Sequence, residues 1–136
     1  MRLELPSLLI TDDDRDFRET LRVVFESRFR TLMARDGEEA LEIVSHEEVH
    51  LVLLDQHMPR LTGLETLRRV KQFKSRLPCI LLSAGLDDSL IRQAQLAQAF
   101  SVLSKPITRQ QLTSTVDAAM RRIYNWETET RPKTGE

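Results

Sequence analysis

Short apolar runs without polar alternation recur along the chain, and after most of them apolar residues return every three or four positions. The runs are Leu8-Leu9-Ile10-Thr11, Phe29 to Ala34, Leu51-Val52-Leu53-Leu54, Cys79-Ile80-Leu81-Leu82 and Phe100 to Ser104. Consecutive aliphatics read as strands buried on both faces, as in parallel sheets covered by helices. The helical stripes between them are Phe17, Leu21, Val24 and Phe25, then Ala40, Leu41 and Val44, then Leu64, Leu67 and Val70. Leu90, Ile91, Ala94 and Ala97 make the fourth stripe, and Leu112, Val116, Ala119, Met120 and Ile123 the last. Asp14 is placed to cap the first helix, and Thr108 with Gln111 three residues on predicts a capping box before the last. Asp36-Gly37 reads as a turn.

Five strands alternating with five helices predict an α/β three-layer sandwich. Its sheet is parallel with helices on both faces, because parallel neighbours need crossovers and crossovers are right-handed. A chain of 136 residues is of single-domain size. The domain is expected over residues 1–126, with a frayed polar tail over 127–136 that carries no apolar periodicity.

The net charge of -1 gives no sign of a general nucleic-acid or membrane-surface binder. The single cysteine, Cys79, excludes an internal disulfide and reads as a small buried residue. No apolar run approaches the roughly 18 residues of a membrane span, and the start lacks a signal peptide's apolar core. The expectation is a soluble, cytoplasmic protein without nucleic-acid or membrane partners. His46 and His50 have no cysteine or histidine partner at zinc spacing. The basic run Arg68, Arg69, Lys71, Lys74 and Arg76 reads as a solvated helix face, and Trp126 as either a partner anchor or packing at the end of the last helix.

Candidate chemistry lies where the runs stop. In a parallel sheet all strands point one way, so Asp12, Asp13, Asp55, Ser83 and Lys105 are predicted along one edge, the edge where open α/β sheets bind ligands. Crowded carboxylates repel, and a hard divalent cation relieves them; Mg²⁺ takes few protein oxygens and leaves positions for a phosphoryl group. Lys105 adds a positive charge and Ser83 a small donor for an anion's oxygens. These parts favour phosphoryl transfer with a carboxylate as attacking group.

From about Ser7 to Tyr124 the sequence resembles the receiver domain of two-component response regulators, the CheY-like fold, which implies a five-stranded parallel sheet of flavodoxin-like order 2-1-3-4-5 with five helices. The resemblance rests on the Asp12-Asp13 pair, Asp55 followed by Met58-Pro59 and Gly63, Ser83-Ala84, and Lys105-Pro106, in matching order and spacing. It implies that Asp55 is the phosphoacceptor, taking its phosphoryl group from a sensor histidine kinase or a histidine phosphotransfer protein. It also implies that Asp12, Asp13, Asp55 and the backbone carbonyl of His57 hold Mg²⁺, the His57 imidazole facing solvent. Ser83 becomes the hydroxyl that moves toward the phosphoryl group and Lys105 the lysine that pairs with it. Output passes through the fourth helix, fifth strand and fifth helix to a downstream effector protein, no output module following the last helix in this sequence.

The family usually has Tyr or Phe three residues before the lysine as a rotamer switch, and this chain has Val102. Phe100, two residues earlier, is expected on the same side of the strand, where it fills part of the space. Two other classes remain open on the sequence. An aspartyl-phosphate-forming phosphatase on a related sheet would place an acid where this chain has His57. A flavodoxin-like cofactor binder would want hydroxyls and glycines, not three aspartates, after the first strand.

Overall fold

The computed structural model describes residues 4–126; the tail expected at 127–136 lies outside the described residues. Five strands, β1 (Ser7–Thr11), β2 (Arg30–Ala34), β3 (Leu51–Asp55), β4 (Cys79–Ser83) and β5 (Ser101–Ser104), alternate with five helices among these residues. The helices are α1 (Arg15–Phe25), α2 (Gly37–His46), α3 (Gly63–Phe73), α4 (Asp88–Leu96) and α5 (Arg109–Tyr124). The sheet is parallel, in the order β2-β1-β3-β4-β5 anticipated from the sequence.

Alternation along the strands divides the core into two halves. Leu8, Ile10, Leu51, Leu53, Ile80 and Leu82 face α1 and α5, where they meet Leu21, Phe25, Leu112, Val116 and Met120. Leu9, Val52, Leu54, Cys79 and Leu81 face α2, α3 and α4, against Val44, Leu67, Val70, Leu90 and Ala94. Both faces of the central strands are therefore sealed, which is why their sequence carries no polar alternation.

Caps fix where each helix starts, and hence where each strand's end is released. Asp14 accepts from the amides of Asp16 and Phe17, and Asp87 from that of Leu90. Thr108 accepts from Gln111, but the reciprocal box forms at Thr62 and Glu65 instead, where an ionised carboxylate is the stronger acceptor. Asp36 and Gly37 do not make a free turn: Asp36 is the extended N-cap of α2 and Gly37 its first residue. Glycine is required there by close approach, since a Cβ would stand 2.2 Å from Thr66 Oγ1 of α3. At the far end of α5, Asn125 adopts the left-handed conformation and Trp126 packs against the α1/α5 core.

Phe100 departs from expectation. It precedes β5, so strand parity does not govern it, and it turns to the α1/α5 core with its ring under the Arg122 guanidinium. Val102 packs on the opposite face, with the α2/α3/α4 core. Phe100 thus fills none of the space beside Val102.

Candidate functional site

The register brings Asp55 opposite Leu82, Thr11 opposite Leu54 and Ser83 opposite Ser104, so the strand ends form one edge. β1 stops because Asp12, after donating its amide to Ala34, turns its own carboxylate back onto the amide of Asp14, 2.8 Å away. Asp14 in turn caps α1, and the chain leaves the sheet with Asp12 and Asp13 at the edge. β3 ends at Asp55, and Gln56 ties the loop beyond it to the start of α3: its carbonyl accepts from Gly63 and its side-chain Oε1 from Leu64 at 2.8 Å. β5 gives way to Lys105, whose amide donates to the Ser83 carbonyl and whose peptide bond to Pro106 is cis.

Asp12, Asp13 and Asp55 each bring a carboxylate oxygen within 4.8 Å of the others'. Asp12 and Asp55 are only 2% and 3% exposed, while Asp13 stands at the open rim. Lys105 Nζ lies 2.8 Å from Asp55 Oδ1 and 3.3 Å from Asp12 Oδ2. The contact with Asp55 is a charge pairing off the hydrogen-bond line, for Asp55 Oδ1 is buried without a hydrogen-bond donor.

Burial pushes the Asp12 carboxyl above its ordinary pKa, and the Asp55 charge adds to this against the opposing Asp14 amide and Lys105. For Lys105 burial works the other way, but contacts with Asp55 and Asp12 outweigh it and hold the ammonium above its usual range. A pocket in which a carboxylate remains strained despite an adjacent ammonium has room in its charge balance for a further cation.

Three hard oxygen donors, one of them an orphaned buried oxygen, fit a divalent ion such as Mg²⁺ better than a soft metal. The other two histidines lie away from this edge: His46 is in the last turn of α2, and His50, just before β3, accepts the Ser7 amide.

Two contributors were missed in the sequence. Phe17, read there only as part of an apolar stripe, sets its ring 4.3 Å from Lys105 Nζ, a cation–π contact that steadies the ammonium. Arg18 donates through Nη1 to the Asp12 carbonyl at 2.7 Å. Their signal was proximity to the acidic pair in the first turn of α1, where side chains lean back toward the helix start. The third surprise is His57. Although the residue is exposed, its Nε2 sits 3.3 Å from Ser83 Oγ instead of facing away into solvent.

The family model described as "Response regulator receiver domain" matches residues 8–117. The chain belongs to that family. Response regulator RR06 of Streptococcus pneumoniae is 34% identical over 119 residues, 87% of this receiver and 54% of that protein. Response regulator MprA of Mycolicibacterium vanbaalenii is 37% identical over 117 residues, 85% of this chain and 50% of its own. The receiver thus spans about half the length of these curated relatives.

A CheY-like receiver domain protein from Methanospirillum hungatei superposes with a TM-score of 0.86, covering 90% of this chain and 98% of its own; at 20% identity it speaks for the fold. Receivers are signalling switches rather than turnover enzymes, and this one carries their acidic pocket with its lysine. No helix among the described residues is long and apolar enough to cross a membrane.

Proposed function

We propose that this receiver, formed by residues 1–126, accepts a phosphoryl group on Asp55 in a Mg²⁺-dependent reaction. The donor is a phosphohistidine of a sensor histidine kinase or a histidine phosphotransfer protein in the cytoplasm. An Asp55 carboxylate oxygen attacks phosphorus, the phosphorus–nitrogen bond breaks, and the imidazole leaves with the electron pair, giving an aspartyl phosphate. Asp12, Asp13, Asp55 and the His57 carbonyl would hold the metal, which when bound neutralises charge on the phosphoryl oxygens.

Lys105 pairs with those oxygens once Asp55 is phosphorylated, and Ser83 donates to another. The ion pair between Lys105 and the buried Asp55, beside two further aspartates, carries this reading. Output then runs through the surface of α4, β5 and α5 to an effector protein.

The test is labelling by acetyl phosphate in Mg²⁺. Wild type takes up acid-labile label and Asp55→Asn takes none. Label retained on the variant would remove the acceptor role from Asp55.

A further inference from the structure

The Ser83 hydroxyl is fully buried at the end of β4 and already committed. Ser83 Oγ accepts from the Gly85 amide at 3.1 Å and lies 3.3 Å from His57 Nε2. A hydroxyl has one proton and two lone pairs. With the Gly85 N–H on one lone pair, the Ser83 hydroxyl still has a proton to give to an unprotonated Nε2 and a second lone pair for an Nε2–H, so the imidazole's tautomer sets the direction. The imidazole lies beside Gly85, where a Cβ would stand in ordinary contact with Nε2 at 3.6 Å. No ring on β5 takes part, since Val102 packs into the core on the α4 side.

We propose that His57, protonated on Nδ1 so that Nε2 accepts, is a positioning residue whose imidazole holds the Ser83 hydroxyl in the unphosphorylated receiver and competes with the phosphoryl oxygens for its proton. This rests on the reading of Asp55 as phosphoacceptor and adds a restraint on how readily that state forms. One proton cannot serve two acceptors, so the bond to Nε2 and a bond from Ser83 to a phosphoryl oxygen exclude each other. Phosphorylation must therefore break the first to make the second. Without the imidazole the hydroxyl is released at the outset, and the phosphorylated state is favoured by the worth of one net hydrogen bond, about fivefold. His57 reaches the switch through Ser83 and needs no contact with the phosphoryl group.

Beryllofluoride with Mg²⁺, a phosphoryl mimic, provides the measurement. His57→Ala should bind it about fivefold more tightly than wild type, and His57→Gln, whose amide reaches a similar point, should bring the affinity back. In a Ser83→Ala background His57→Ala should change nothing, because the group through which it acts is gone. A second readout needs neither metal nor mimic. The Gly85 amide resonance, which reports the hydrogen bond to Ser83 Oγ, should move in His57→Ala and return in His57→Gln.

An equal gain with and without the Ser83 hydroxyl, or a Gly85 resonance indifferent to His57, overturns the proposal. If wild type fails to bind beryllofluoride, the phosphoacceptor reading falls, while the Gly85 resonance still decides whether His57 holds Ser83.

Discussion

Lys105→Met removes the one ammonium that, among the described residues, pairs with Asp12 and Asp55, and keeps most of the side chain's length. At separations of 2.8 and 3.3 Å and an effective dielectric of about 20, the two attractions are worth about 6 and about 5 kcal/mol. The cost of drawing a side chain that remains only 24% exposed out of water cancels much of that. The two buried carboxylates left with no counter-charge are more decisive. Stranding a buried charge costs about 3 kcal/mol, or about 10 °C in Tm for a domain of this size.

The pH dependence originates in Asp12. Its pKa already stands above 3.8 through burial, and Lys105 is among the groups that restrain it, so the variant raises it further. A carboxyl with a raised folded pKa gives no penalty below its unfolded value and the full penalty above its folded one. The destabilisation is therefore complete at neutral pH and fades as pH falls toward 3.8. In wild type the Lys105 contribution is present below 10.5 and lost only as pH rises through a folded value above that.

Urea unfolding of both proteins in a chelator, at neutral and acidic pH, and again with saturating Mg²⁺, measures all of this. The deficit should shrink in acid and shrink again when the cation replaces the missing charge. A deficit that changes with neither pH nor Mg²⁺ would show that Lys105 contributes packing alone and would refute the electrostatic role.

Gly63→Ala should lower stability by about 1–3 kcal/mol in urea unfolding and slow labelling by acetyl phosphate. Its Cβ would meet the Asp55 carbonyl oxygen at 2.4 Å and Leu81 Cδ1 at 2.7 Å, pressing on the proposed acceptor's own backbone. Tyr124, the one tyrosine, has its phenol pushed up to about 12 by burial, and its hydroxyl donates to the His50 carbonyl. An ultraviolet titration should therefore find its midpoint near 12 rather than 10.0. The linked stability is present below 10.0 and lost as pH rises through about 12. Cys79, buried and with its thiol pushed up to about 12, should resist a thiol reagent in the native state and react on unfolding; rapid native labelling would contradict its burial.

The fold was legible because buried parallel strands have an unambiguous pattern. Leu51 to Leu54 has no polar residue to face solvent, and the carboxylate after Leu54 marks the place where the chain leaves the sheet. The aspartates and Lys105 were found for the same reason: a strand's end is fixed by its apolar run. The features that were missed depend on loops and reach. Phe100 was assigned a side by alternation, but alternation holds only within a strand, and β5 begins one residue later. Gly37 carries the ordinary signal of a turn, whereas its purpose is the close passage of α2 over Thr66, which no local pattern encodes. The His57 imidazole and the Phe17 ring enter the pocket through contacts 26 residues apart in one case and across two elements in the other. Such contacts depend on side-chain direction, which spacing does not give.

The signalling role proposed for this receiver reduces to the chemistry of one carboxylate oxygen. Protein treated with acetyl phosphate in Mg²⁺, reduced with borohydride and digested should show the Asp55 carboxyl converted to a primary alcohol, phosphate having left, and no conversion when a chelator replaces Mg²⁺. Conversion at another carboxylate, or equal conversion without a divalent ion, would contradict the claim that Asp55 is a metal-dependent acceptor.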